Sequence, residues 1–131
     1  MEAITALTPP TKGGKMKPKI VCLCGSTKFK DAFTKAQFDE TMAGNIVLTI
    51  GCNMKSDSEI FAGLSDSQLR IVKARLDVLH FHKIVMADEI LVLNVDNYIG
   101  ESTEREIVYA DSLGKTIRYL EPTDWQDVST N

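Results

Sequence analysis

The stretch "EILVLNVDNYIGESTEREIVYADSLGKTIRYL", residues 89–120, predicts a strand, a helix and a second strand in succession. The apolar run 89–95 is typical of a buried parallel strand, and residues 102–113 have the spacing of a helix that ends at Gly114. Residues 116–120 are predicted to form the next strand. Two parallel strands joined through a helix are the repeating unit of α/β folds, so this segment indicates the fold class.

The chain before this stretch shows the same alternation. Two further apolar runs of strand length occupy 19–24, "KIVCLC", and 45–50, "NIVLTI". Helical spacing marks residues 28–43 and 66–86. Alternating strands and helices predict right-handed crossovers with helices on both faces of a sheet. We therefore expect a doubly wound, flavodoxin- or Rossmann-like three-layer sandwich with a mainly parallel sheet of four to five strands.

Two segments depart from this pattern. Residues 1–17 show little periodicity and are predicted to form a flexible N-terminal tail, which leaves 18–131 as a single domain. The polar segment 51–66 is long enough to be a functional loop, and Ser65 or Asp66 at its end can cap the following helix.

Composition and charge limit the possible partners. A chain of 131 residues with 44% hydrophobic and 25% charged residues is typical of a soluble globular domain. Its net charge of −3 argues against a nucleic-acid polymer as a partner, because a phosphate backbone requires a basic face. No stretch has the length and apolarity of a membrane span or of a signal region, so we expect a cytoplasmic protein with no membrane partner.

The cysteines and histidines do not have the spacing of a metal site. Cys22, Cys24 and Cys52 are odd in number, and the first two point to the same face of a strand, too close along the chain to bridge easily. We expect them to be reduced, small core residues. His80 and His82 lie two positions apart and so point to opposite sides of a helix. Neither a metal nor a cofactor is expected.

Two turns are predicted at the carboxyl edge of the sheet, where open α/β sheets bind their ligands. In the first, "CGST" (24–27), Gly25 lets the backbone approach a ligand, and Ser26 or Thr27 adds a hydroxyl. The start of the following helix offers free N–H groups to an anion. The alternative is that Ser26 is simply the N-cap of that helix.

The second turn lies within "IGESTEREIVYA", residues 99–110. Thr103 and Glu106 have the spacing of a capping box, in which the two side chains bond to the backbone N–H groups of a helix start. That would fully explain Glu106. The alternative is that its carboxylate, at the ligand edge and facing the "CGST" turn, meets a sugar.

Three motifs, "CLCGSTKF" (22–29), "ADEILVLNV" (87–95) and "REIVYADSLGK" (105–115), together resemble the nucleoside 2-deoxyribosyltransferases and the related deoxynucleoside 5′-monophosphate N-glycosidases. The resemblance covers residues 18 to about 120. It implies a retaining displacement at C1′ of a nucleoside or nucleotide, with Glu106 as the nucleophile and a glycosyl-enzyme intermediate. It also implies a homodimer or a larger homo-oligomer, for which the apolar helix 66–86 is a plausible interface.

The resemblance assigns substrate contacts to both turns. Gly25 and Ser26, with Thr27 beside them, would hold a 5′-phosphate or the sugar hydroxyls, and Ser102 and Thr103 would donate to the same phosphate. The "CGS" triplet is similar to that of the phosphate-using members. This favours a hydrolase over a transferase.

The chain also departs from the family pattern. His80 stands where the family has an aspartate on the preceding helix, so an Asp77–His80 pair is the expected proton donor to the leaving base, and ordinary helix residues are the alternative. The transferases carry an aspartate at the position of Gly100, and Asp96 or Asn97 would have to take its place.

A second function remains open, a non-catalytic nucleotide-binding sensor or regulatory module of the same fold. It is favoured by His80 and by Glu104, a second carboxylate that would raise the pKa of Glu106 if both point inward.

Overall fold

The computed structural model describes residues 17–50 and 61–123. The strands found there are β1 (Ile20–Cys24), β2 (Ile46–Leu48), β3 (Glu89–Val92) and β4 (Thr116–Tyr119), and the α-helices are α1 (Lys30–Met42), α2 (Asp66–Met86) and α3 (Glu101–Ser112). All strand pairs in the described residues are parallel, in the order β2-β1-β3-β4. The predicted doubly wound α/β sandwich is confirmed, with four strands in the described sheet.

Side chains of β1 alternate between two apolar cores, one on each face of the sheet. Val21 and Leu23 pack with Phe33 of α1. Cys22 and Cys24 face the opposite way and join the core made with α2 and α3; its other buried members are Ile84, Ala87, Ile90, Val92, Ile107 and Ala110. A strand buried on both faces needs a continuous apolar run, which accounts for "IVCLC". The prediction of free, buried cysteines is confirmed for these two, and Cys52 lies outside the described residues.

Helix ends follow local chemistry. α2 begins at a capping box, in which the Ser65 hydroxyl accepts from the Gln68 N–H at 3.2 Å and the Gln68 side chain accepts from the Ser65 N–H at 2.9 Å. α3 ends before Gly114, whose φ of +72° is readily adopted only by glycine. The sequence predicted a cap at Ser65 or Asp66 and the end of the last helix at Gly114, and both predictions are confirmed.

The sheet strands β2 and β3 are shorter than the predicted ranges 45–50 and 89–95. After Val92 the chain leaves the ladder, although Leu93 still donates its N–H to the Cys24 carbonyl at 2.8 Å. A short 3-10 turn, Val95–Asn97, follows. The predicted strand ends were wrong because apolar residues continue into the turns that close the carboxyl edge.

One polar cluster joins β4, β3 and α1. Arg118 donates from Nε to Glu89 Oε1 and from Nη2 to Glu40 Oε1, both at 2.6 Å. Lys19 lies 3.5 Å from the other Glu89 oxygen, and Asn45 donates to Glu40 at 3.0 Å. The ion pairs of Arg118 with Glu40 and Glu89 therefore lie on the α1 face of the sheet, beside the apolar core that contains Phe33.

The strand order places a topological switch between β1 and β3. The chain leaves β1 through α1 on one face, and it leaves β3 through α3 on the other face. The connections diverge at this point and open a crevice, which is where such sheets bind ligands. Within residues 17–50 and 61–123, no helix combines the length and apolarity needed to cross a membrane.

Several predictions fall on residues that the structure does not describe. The tail lies outside the described residues except for Lys17. Of the predicted functional loop 51–66, residues 51–60 lie outside as well. Phe61, in the described part of this segment, lines the cavity described below.

Candidate active site

A cavity of about 410 Å³ opens at the carboxyl edge of the sheet, beside the turn after β1 and the start of α3. Most of the predicted site residues line it: Gly25, Ser26, Thr27, Asp77, His80, Gly100, Ser102, Thr103 and Glu106. The helix α2 forms a third wall. The two turns singled out in the sequence therefore face one another across a single cavity.

Glu106 lies in the second turn of α3 with only 14% of its side chain exposed. The helix begins at Glu101, and its N-cap is Gly100, which makes no side-chain capping bond. Thr103 is therefore the third residue of the helix and is buried. The capping-box explanation of Thr103 and Glu106 is wrong, because the helix starts too early for Thr103 to cap it.

His80 lies beside Glu106 at the buried end of the cavity. Its Nε2 is 3.7 Å from Glu106 Oε1, and it lies 3.4 Å from Cys24 Sγ and 3.8 Å from Cys22 Sγ. Its Nδ1 is buried with no hydrogen-bond partner among the described residues. The structure thus places His80 with Glu106 and the thiols. It shows no hydrogen bond from His80 to Asp77, which lies on the exposed part of the cavity wall.

Burial and charge shift both ionisable groups of the pair. Burial raises the pKa of Glu106, although the neighbouring His80 opposes this effect. Burial lowers the pKa of His80, but the Cys22 thiol and the Glu106 carboxylate outweigh it, so that the net shift is upward. Both groups therefore hold their protons to higher pH than they would in water.

The two thiols behind this pair differ in acidity. The hydrogen bond with Cys24, helped by His80, lowers the pKa of Cys22 to about 6 in spite of burial. The same thiol contact, together with burial, raises the pKa of Cys24. Cys22 is therefore the first of the two to ionise, and its charge lies next to the His80 ring.

The turn after β1 is held close to the end of β3. A Cβ atom on Gly25 would lie 3.1 Å from Leu93 Cβ and 3.3 Å from the Leu93 carbonyl, so only glycine fits without displacement. Ser26 Oγ accepts from the Lys28 N–H at 3.3 Å. The N-cap of α1 is Phe29, so the interpretation of Ser26 as that N-cap is wrong.

Asp96 and Asn97 are not among the residues lining the cavity. Both adopt positive φ angles, 53° and 61°, in the turn after β3. Asn97 accepts from the buried Asn94 side chain at 3.1 Å, and the Asp96 N–H donates to Glu121 at 2.9 Å. Their observed contacts shape the turn and do not place them in the cavity wall.

Sequence reasoning missed several lining residues. Lys73, Leu76 and Lys83 join Asp77 and His80 on one face of α2. Residues three or four positions apart share one face of a helix. Once His80 was a candidate, the other residues on its face could therefore have been predicted to line the site. Tyr98 adds an aromatic wall, with Lys28 Nζ 3.6 Å from its ring centre.

Comparisons with protein-family models, with curated proteins and with solved structures find no match to this chain. The functional argument therefore depends on the fold and on the cavity. The cavity contains a largely buried carboxylate, that of Glu106, next to the imidazole of His80. A glycine turn and the start of a helix form the rest of its polar wall.

Proposed function

We propose that the protein cleaves the N-glycosidic bond of a nucleoside or a nucleoside 5′-monophosphate, by hydrolysis or base exchange. One observation carries the proposal: the Glu106 carboxylate lies in the wall of the same cavity as the Gly25–Ser26 turn. A nucleophile for a sugar and a cradle for its 5′ substituent must meet in one pocket, and this cavity offers both.

The proposed reaction has two displacements. A Glu106 oxygen attacks C1′, and the bonding electrons of the C1′–N bond leave with the base. The base takes a proton from a donor on the cavity wall, for which Asp77 is the exposed candidate. Water, or the N–H group of a second base, then attacks C1′ from the opposite side, gives a proton to the group that protonated the leaving base, and frees the Glu106 carboxylate. We assign His80 the role of positioning the Glu106 carboxylate, because their side chains lie 3.7 Å apart.

Substrate binding is proposed to use both turns. The start of α3, with Ser102, offers backbone and hydroxyl donors to a phosphate or to sugar hydroxyls. Phe61 and Tyr98 provide aromatic surface for the base. The cavity volume of about 410 Å³ lies within the range of about 300–1,000 Å³ that is usual for small-molecule sites.

A second candidate is a nucleotide-binding sensor without catalysis. The raised pKa of Glu106 favours it, because a protonated carboxyl group is a poor nucleophile. The same cavity would then bind the ligand through its glycine turn and helix start and release it unchanged.

We also propose that the protein forms a homodimer in the cytoplasm. Ile71, Val78 and Val85 are spaced by seven residues on α2 and are 53%, 55% and 47% exposed. Such a stripe suits the seam between two antiparallel helices of identical chains. The free thiols of Cys22 and Cys24 suit a reducing compartment. Light scattering on the wild type and on Val78→Glu tests the dimer, since a charge at the seam should yield monomers.

Catalysis is tested by incubating the protein with a panel of ribo- and deoxyribonucleosides and their 5′-monophosphates and measuring free base by chromatography. Glu106→Gln should abolish base release. Glu104→Gln is the matched control, because Glu104 is an exposed carboxylate on the same helix that does not line the cavity. Base release unchanged in Glu106→Gln would refute the proposal, and ligand binding with no release by any variant would support the sensor.

A further inference from the structure

The buried end of the cavity gathers four potential metal ligands. Cys22 and Cys24 occupy alternate positions of β1, so both sulfurs project from one face of the sheet toward α2. His80 Nε2 lies 3.8 Å and 3.4 Å from these sulfurs. Glu106 Oε1 lies 3.7 Å from the same nitrogen.

Hydrogen bonding alone accounts poorly for this convergence. The imidazole Nε2 carries at most one proton and can donate to a single acceptor. Here two sulfurs and an oxygen all lie within 3.8 Å of that one nitrogen. A cation at their centre would satisfy all of them at once.

The distances match a tetrahedral ion. Zn–S bonds of about 2.3 Å and Zn–N bonds of about 2.0 Å place neighbouring sulfur and nitrogen ligands about 3.5 Å apart. The observed S···N distances of 3.4 and 3.8 Å straddle that value. The ligand atoms of the two cysteines and the histidine all lie within 4.8 Å of one another.

The donor set and the access route also suit zinc. Thiolate and imidazole ligands suit Zn²⁺, whereas Mg²⁺ and Ca²⁺ prefer oxygen ligands. The cysteines are fully buried, but His80 and Glu106 line the cavity, so an ion has a path from solvent. Two thiolates and a carboxylate leave one negative charge around Zn²⁺, and Lys83 on the same helix face lies close enough to offset it.

We propose that Cys22, Cys24 and His80 bind Zn²⁺ at the buried end of the cavity, with the neighbouring Glu106 carboxylate moving in as the fourth ligand of a tetrahedral site. Binding displaces any protons on the ligand atoms into solvent and creates no other product. If the proposed glycosidase function holds, the ion is an inhibitor, because the Glu106 lone pair that would attack C1′ is then bound to the metal.

Metal binding is tested on the full chain carrying Cys52→Ser, in which Cys22 and Cys24 are the only thiols. The reduced, chelator-treated protein is titrated with Co²⁺ as a spectroscopic probe. We expect one Co²⁺ per chain, thiolate-to-cobalt charge-transfer absorption and the intense d–d bands of a tetrahedral ion, all abolished by one equivalent of Zn²⁺. No substrate is present, so the result is independent of the glycosidase assay.

Two matched histidine variants separate this site from surface binding. His80→Gln should weaken Zn²⁺ binding by at least about 100-fold, since even losing a hydrogen-bond partner of a ligand costs about 10- to 100-fold. His82→Gln should leave the affinity unchanged, because that side chain is exposed on the opposite side of α2. Cys24→Ser should remove part of the charge-transfer absorption, with circular dichroism confirming the fold of each variant.

A second measurement needs no substitution at the ligands. In urea near the unfolding midpoint, where opening of the chain exposes both buried thiols, Zn²⁺ should slow alkylation of the Cys52→Ser protein, as counted by mass spectrometry. Unaltered alkylation, a cobalt spectrum without charge-transfer bands, or equal Zn²⁺ affinity in His80→Gln and His82→Gln would each overturn the proposal.

Discussion

Replacing Arg118 with methionine is expected to destabilise the fold by about 2–3 kcal/mol. Breaking a buried ion pair costs about 3–5 kcal/mol, whereas an exposed pair contributes about 0–1 kcal/mol. Arg118 lies between these cases, because its side chain is 39% exposed while those of Glu40 and Glu89 are only 13% and 6% exposed. Lys19 and Asn45 remain as partial partners and limit the loss.

The free energy of unfolding that is lost in Arg118→Met should depend on pH, and the pKa of Glu40 gives the direction of that dependence. Burial raises the pKa of Glu40, but the hydrogen bonds from Arg118 outweigh it and lower this pKa overall. A group with a lowered native pKa stabilises the fold fully above its ordinary pKa, about 4.3 for glutamate, and loses that contribution as the pH falls through the native value. The difference between wild type and Arg118→Met should therefore be largest near neutral pH and shrink in acid.

Urea unfolding of both proteins near pH 7 and near pH 3 measures the two free-energy differences. Lys35→Met is the matched control, because Lys35 forms an equally short contact with Asp39, 2.6 Å, on an exposed helix surface. It should cost no more than about 0.5 kcal/mol. A cost for Arg118→Met no larger than the control, or one that stays constant between the two pH values, would refute the reasoning.

Three further substitutions probe the cap, the glycine turn and the end of β3. Ser65→Ala removes half of a capping box and should cost about 1 kcal/mol in urea unfolding. Gly25→Ala places a Cβ 3.1 Å from Leu93 Cβ and should cost about 1–3 kcal/mol and reduce ligand affinity, as measured by calorimetry. Asn94→Asp keeps the shape of the side chain but sets an oxygen against the Glu121 carbonyl, 2.9 Å away. It should cost about 2–3 kcal/mol near neutral pH, and less in acid, where the new carboxyl group can hold a proton; a cost that grew in acid would contradict the assigned bond.

The helices were predicted more accurately than the strands. The predicted range 66–86 agrees with α2, because both the spacing of its apolar residues and its capping box are local features. The ends of β3 are different, since Leu93 and Asn94 are buried yet lie beyond the ladder. Where a strand stops depends on its neighbours in the sheet, which periodicity does not record.

In the candidate site too, some residues could be predicted from local sequence and some contacts could not. Glu106, Gly25 and Ser26 could be proposed from motifs, because each belongs to a short segment that follows an apolar strand. The contact of His80 with Cys22 could not, since the interpretations of His80 as an ordinary helix residue and of Cys22 as a core cysteine also fitted the sequence.

By itself the sequence determined the alternation of strands and helices, and with it the edge of the sheet where polar residues collect. Only the tertiary structure decided which of those residues meet. The order β2-β1-β3-β4 brings β1 next to β3 and packs α2 and α3 on one face, so that two thiols and an imidazole converge beside a carboxylate. Local periodicity fixes which face of an element is apolar, but the neighbour across that face is set by the free energy of packing the whole chain.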